Sequence, residues 1–105
     1  MRNTNFENLV WNAFIDGEAK ASAGRWTARR DGWSVIVTHY STDMIRVVFD
    51  DVPVKTSAWG WQNVTQPVFV EGIDEGYGSS SDRTGIRKIT SGAGVSTGYR
   101  ELFNA

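Results

Sequence analysis

Between Phe6 and Phe14 the apolar residues recur at helical spacing, as Phe6, Leu9, Val10, Ala13 and Phe14, the signature of an amphipathic helix. Thr4-Asn5-Phe6-Glu7 in front of them reads as a capping box, and Asp16-Gly17 closes the face, with Gly17 as the residue just past the helix. Trp11 and Ile15 lie at the margin of the predicted buried stripe. Glu18 to Ala23 is small and Ala-rich; it reads either as a weak continuation of the helix or as a loop to Gly24.

The period then changes from 3.6 to 2. Arg25 to Arg30 alternates Trp26 and Ala28 against Thr27 and Arg29, Asp31-Gly32 is a hairpin signal, and Trp33 to Tyr40 is rich in β-branched and aromatic residues. Ser41-Thr42-Asp43 predicts a turn. Met44 to Phe49 predicts a strand with Ile45, Val47 and Phe49 on one face and Arg46 on the other. Asp50-Asp51-Val52-Pro53 predicts another turn, and Val54 to Trp61 a fourth strand. Short reversals in succession argue for an antiparallel meander, because parallel strands need long crossovers.

Beyond Val64 the pattern weakens. Gln66-Pro67 interrupts it, Val68-Phe69-Val70 is a possible short strand, and Gly72 to Ser81 reads as a surface loop. Ser81 or Asp82 can cap a short helix that turns Ile86 and Ile89 inward and Arg83, Arg87 and Lys88 outward, with Gly85 weakening it by roughly 1 kcal/mol relative to Ala. Ser91 to Gly98 is again Gly- and Ser-rich, and Tyr99 to Phe103 suits a final helical turn. The predicted fold is α+β in a single domain spanning residues 1–105. An N-terminal helix packs on a four- or five-stranded antiparallel sheet, with a short basic helix near the C-terminus.

Composition narrows the function. The chain has 105 residues, five of them Trp, no Cys, one His and a net charge of −1. Near-zero charge removes the bulk electrostatic argument for a general nucleic-acid binder. The absence of Cys excludes disulfides and thiolate metal sites and fits a reducing cytosol. The first residues lack an apolar h-region with a cleavage pattern, and no apolar run approaches the ~20 residues of a membrane span. These observations predict a cytoplasmic protein with no membrane partner.

Candidate chemistry is sparse. His39 lies in a predicted strand, where a lone histidine is more often structural than catalytic; a general base needs a located nucleophile and an orienting partner. The carboxylates fall mostly in predicted turns and caps. The adjacent pairs Asp50-Asp51 and Asp74-Glu75 do not converge, and the latter lacks calcium-loop spacing. Gly92 to Gly98 fits neither phosphate-binding glycine pattern. No catalytic residue, metal or cofactor is expected. Ser80, Ser81 and Arg83 form a candidate anion site at a helix start, although capping alone explains most of that stretch. Trp59-Gly60-Trp61 is the sharpest feature. On one strand the two rings share a face and make a docking platform, or else they cover the N-terminal helix as core. A core this small can hardly hide every large ring, so one or two tryptophans are expected at the surface. The expected partner-binding set is Trp59, Trp61, Arg83, Arg87 and Lys88.

Three segments occur in an order that resembles a group of small bacteriophage-encoded accessory proteins. They are His39-Tyr40-Ser41-Thr42-Asp43-Met44-Ile45, Trp59-Gly60-Trp61-Gln62-Asn63-Val64-Thr65, and Ser81-Asp82-Arg83-Thr84-Gly85-Ile86-Arg87-Lys88-Ile89. The likeness covers about half of the chain, with Gln66 to Ser80 as an insertion and no shared catalytic residues. It implies a viral accessory protein acting in a bacterial cytoplasm. Together these readings point to a non-enzymatic binding protein, in its specific form a phage inhibitor of a host defence complex. A nucleic-acid module using Arg25, Arg29, Arg30, Arg83, Arg87 and Lys88 is the second reading, and a small anionic-ligand or nucleotide binder the third. Self-association fits all three.

Overall fold

A computed structural model describes residues 2–58 and 60–103. Strand β1 is Arg2–Thr4, and after a 3-10 turn at Phe6–Asn8 helix α1 runs over Leu9–Asp16. Strands β2 (Glu18–Ala21), β3 (Trp26–Asp31), β4 (Ser34–His39), β5 (Thr42–Thr56) and β6 (Gly60–Gly72) follow, then α2 (Ser80–Gly92) and α3 (Tyr99–Leu102). The strands form one curled sheet in the order of the sequence. All neighbours are antiparallel except β1 and β2, which run parallel. The expectation of four or five purely antiparallel strands is therefore corrected to six strands in a mixed sheet.

The parallel pair exists because α1 acts as the crossover between β1 and β2, the type of connection parallel strands require. It also changes the role of Thr4. Thr4 lies in β1 and its Oγ1 accepts a hydrogen bond from Asn12 Nδ2 at 2.7 Å, so the expected Thr4–Glu7 capping box does not form. The residue before the helical segment is Asn5, and its side chain makes no capping bond. The segment Glu18–Ala23, expected as helix or loop, supplies β2, whose Ala19 and Ala21 are buried. Small side chains there let α1 sit close to the sheet.

β5 and β6 depart most from expectation. β5 runs straight through Asp50-Asp51-Val52-Pro53, and β6 through Gln66-Pro67. β4 begins at Ser34, opposite Val48, so Pro53 has a neighbouring strand on one side only, and β6 is the edge of the sheet throughout. These are the positions where a strand tolerates proline. The register shift between Val48 and Phe49 leaves Val68 as the extra residue of a bulge beside Pro67. The expected strand Val54 to Trp61 is instead the end of β5, to Thr56, and the start of β6, from Gly60, whose φ is +87°, with Trp59 outside the described residues. The turn expected at Ser41-Thr42-Asp43 lies instead at Tyr40-Ser41.

Past Val48 the two strands leave the rest of the sheet. Asp50–Thr56 and Gly60–Gln66 continue as a two-stranded ribbon about 20 Å long at ~3.3 Å per residue, along a molecule whose longest dimension is 48 Å. The core lies on the concave face, where Leu9, Val10 and Ala13 of α1 and Ile86 and Ile89 of α2 meet Val35, Val37, Ile45 and Val47. Phe49 closes one end of it, stacked on Phe14 at 3.9 Å and edge-on to Trp11 at 5.3 Å.

Gly85 of α2 packs against the buried indole of Trp26, and a Cβ there would clash with Cζ2 of the ring. Gly85→Ala is expected to destabilise the protein by about 1–3 kcal/mol through overpacking, against a helix gain of only ~1 kcal/mol. Urea denaturation measures it; an unchanged or raised midpoint would show that the indole moves aside freely.

On the convex face Arg29 grips both oxygens of Asp43 at 3.0 and 2.9 Å, and Thr38 Oγ1 donates to the same carboxylate at 2.8 Å. The hydrogen bond from Arg29, followed by that from Thr38, lowers the Asp43 carboxyl from 3.8 to about 2. A carboxyl depressed in the folded state stabilises above its unfolded value, and that contribution is lost as the pH falls from about 4 to 2. Because the pair is exposed, its worth is about 0.2–1 kcal/mol. Asp43→Asn should lower the urea midpoint by this much at pH 7 and leave it unchanged near pH 2. An equal loss at both pH values would contradict the assignment.

Candidate functional site

Trp26 opens β3 facing inward, and the register sets His39, the last residue of β4, directly opposite. Their rings stack 3.9 Å apart and within 4° of parallel. His39 is only 5 % exposed. Its Nδ1 donates to Oδ1 of Asp82 on α2 at 2.6 Å, and Asp82 is itself 4 % exposed.

Asp82 is placed by the start of its own helix. Ser79, rather than Ser81 or Asp82, is the capping residue: its Oγ accepts from the Asp82 N–H at 3.3 Å. In return Asp82 Oδ2 accepts from the Ser79 backbone N–H at 3.1 Å and from its hydroxyl at 3.0 Å. One carboxylate thus completes a capping box and fixes a buried imidazole. Burial pushes the Asp82 carboxyl up, but the hydrogen bonds from His39 and Ser79 outweigh it and the net shift is downward. Asp82 is therefore a carboxylate at neutral pH, and the proton of the bond sits on His39 Nδ1. Nε2 is left as the reactive edge of the ring, an acceptor when the ring is neutral and a donor when it is charged. Among the described residues no buried side-chain nitrogen or oxygen lacks a partner, and His39 bonds to Asp82 alone. Nε2 therefore opens to the cleft that His39 lines.

That cleft comprises two neighbouring lobes that share His39, Tyr40 and Ser81 in their walls. The larger, about 330 Å³, is walled by Thr42, Met44, Tyr77 and Ser79. The smaller, about 200 Å³, runs between Trp26 and Thr84 to Lys88. Its rim is strained. Tyr40 and Ser41 form the two-residue loop between His39 and Thr42 with φ of +51° and +71°. Neither is the Asn or Gly that this geometry favours, and each such residue costs about 1–2 kcal/mol. The Tyr40 ring is 63 % exposed and leans on His39 with centroids 4.5 Å apart. Tyr77, across the larger lobe, is 98 % exposed.

The residues expected to form a site are dispersed. Ser80 and Ser81 lie exposed in the first turn of α2, and Arg83, Arg87 and Lys88 on its outer face. Arg83 sits 5.5 Å from the Tyr99 ring and Lys88 5.6 Å from that of Phe6. Trp61 is 70 % exposed on the ribbon opposite Lys55, at the far end of β5 from the Tyr40 loop. Trp59 lies outside the described residues. Of the other cations in the nucleic-acid reading, Arg29 is held by Asp43, while Arg30 covers the Phe14 ring at 3.8 Å and donates to the Phe14 carbonyl. The His39–Asp82 pair was missed by sequence reasoning. The only trace of it is the Ser79-x-x-Asp82 capping spacing.

No family model, no curated protein and no solved structure matches this chain. Among the described residues no helix is long and apolar enough to cross a membrane, and no group of three or more His, Cys, Asp or Glu side chains is placed to hold a metal ion.

Asp82→Ala removes the partner of a buried imidazole together with a helix cap and is expected to cost about 3–5 kcal/mol. Asp82→Asn, which keeps an oxygen to cap Ser79, should cost less. Denaturation of the two variants checks the order; a loss below about 1 kcal/mol for Asp82→Ala would show that the pair does not hold α2 to the sheet.

Proposed function

We propose that the protein is a non-enzymatic binding module that docks on a partner protein through the β5–β6 ribbon. The observation that carries this reading is apolar area left in water on a projecting ribbon. Trp61 shares one face with Pro53, while Val52, Val54 and Val64 lie on the other by alternation and register. A two-stranded ribbon is marginally stable by itself in water, and large rings such as Trp61 are the residues that dominate protein interfaces when buried. Pro53 blunts the outer edge of β5, which favours docking by the faces over strand addition. Lys55 is the ribbon's only basic residue, so a protein surface suits it better than a phosphate backbone. Inhibition of a host defence complex is the particular form of this function that the resemblance to phage accessory proteins supports.

The test is capture of partners by the tagged chain in a bacterial host, at low and high salt, alongside Trp61→Ala. The expected result is a stoichiometric protein retained at high salt by the wild type and lost by the variant, whose melting temperature stays within about 2 °C because an exposed side chain contributes little to stability. Equal capture by both proteins, or unfolding of the variant, would remove the ribbon from the interface. Recovery of nucleic acid alone, released by salt, would transfer the function to the basic residues of α2.

A further inference from the structure

We propose that the cleft at His39, Tyr40 and Ser81 is a second binding site, for a planar heteroaromatic ligand carrying an anionic group, of the size of a nucleoside monophosphate. The site is independent of the ribbon, which leaves the sheet at the opposite end of β4.

Three observations converge on that chemistry. Tyr40 and Tyr77 border the larger lobe, and both rings are mostly in water. Two exposed aromatic walls on one cavity suit a flat ring stacked between or upon them, since base–aromatic stacking asks only for a π-face. The smaller lobe supplies the other end of the ligand. Ser81, Thr84 and Lys88 are spaced three and four residues apart, so one face of α2 lines this lobe with two hydroxyl residues and a lysine, whose ammonium stands 5.6 Å from the Phe6 ring. Where the lobes join, His39 presents Nε2, oriented by Asp82 behind it. Held from behind and open at its edge, this nitrogen can bond to the ligand in either protonation state. Asp82 lines the larger lobe and not the smaller one that would take the anion.

The strained loop supports the same assignment. Left-handed backbone at two consecutive non-glycine residues holds the Tyr40 ring over the cleft, and such strain concentrates where geometry serves binding. A loop chosen for stability alone would carry Asn-Gly there.

Isothermal titration of the full chain with the four common ribonucleoside 5′-monophosphates, the matching nucleosides and inorganic phosphate tests the proposal. At least one monophosphate should bind one per chain, tenfold or more tighter than both its nucleoside and phosphate. The double variant Tyr40→Asn with Ser41→Gly should melt at a higher temperature than the wild type and bind at least tenfold more weakly. Lys88→Ala should weaken binding of the monophosphate and leave the nucleoside unaffected. Absence of heat from all four monophosphates at millimolar concentration overturns the proposal. Phosphate binding as tightly as the monophosphate removes the ring-binding role of Tyr40, and undiminished affinity in both variants places any binding elsewhere.

Discussion

The hydrogen bond between His39 and Asp82 ties the sheet to the helix that closes its concave face. Asp82 and Gly85 are three residues apart on α2 and so share a face. Opposite them stand His39 and Trp26, cross-strand neighbours whose rings lie parallel 3.9 Å apart. The carboxylate takes the imidazole, and the missing side chain at Gly85 takes the indole. Neither contact tolerates a shift of α2: sliding the helix would leave a buried ion unpaired or drive backbone into the Trp26 ring. The bond is electrostatically strong because it is buried, and that same burial makes it costly to break.

What the pair arranges extends beyond packing. His39 ends β4, so holding it also holds the first residue of the Tyr40–Ser41 loop. That loop adopts a conformation its own residues disfavour. It persists because β4 and β5 are paired on either side and because Tyr40 N–H donates to the Arg25 carbonyl. Stability drawn from the core is spent at one end of the sheet on presenting an aromatic ring, an imidazole edge and a helix face around one space. This distribution is expected of a site, and it is difficult to account for if the loop serves only to reverse the chain.

Local patterns carried much of this fold in the sequence. Alternation at Ile45, Val47 and Phe49 placed those residues in the core, and Asp31-Gly32 marked the β3–β4 hairpin. The crowding argument for exposed tryptophan holds at Trp33 and Trp61, while Trp26 is buried. Features set by distant partners were hidden. Asp50 to Pro53 and Gln66-Pro67 carry turn chemistry, but each has a strand neighbour on one side only, where proline is tolerated. β2 is made of Glu, Ala, Lys and Ala, with no strand preference of its own, and forms because β1 and β3 flank it. The Ser79–Asp82 cap is three residues long and could be seen; its bond to His39 spans 43 residues and could not. The candidate cleft depends on that one long-range contact, so of its walls the sequence marked only Ser81 as part of a candidate anion site.

The two ends of β5 show how a small domain divides its aromatic side chains. A chain of this length hides only about two-thirds of its surface, and its core is already filled by Trp26, Phe49 and the aliphatic residues of the curled sheet. Of the rings that the core does not take, Trp33 and Phe69 are exposed singly, while Trp61 stands on the ribbon at one end of the longest hairpin and Tyr40 and Tyr77 at the cleft at the other. Scattered exposure is ordinary on any protein surface. Here one group sits on a ribbon too thin to bury it, and the other surrounds a cavity with a fixed polar floor. The ribbon offers area without directional polar groups, which suits an extended partner. The cleft offers oriented polar groups over a small area, which suits a small one. The chemistry of each end, rather than their shared exposure, is what assigns them to different ligands.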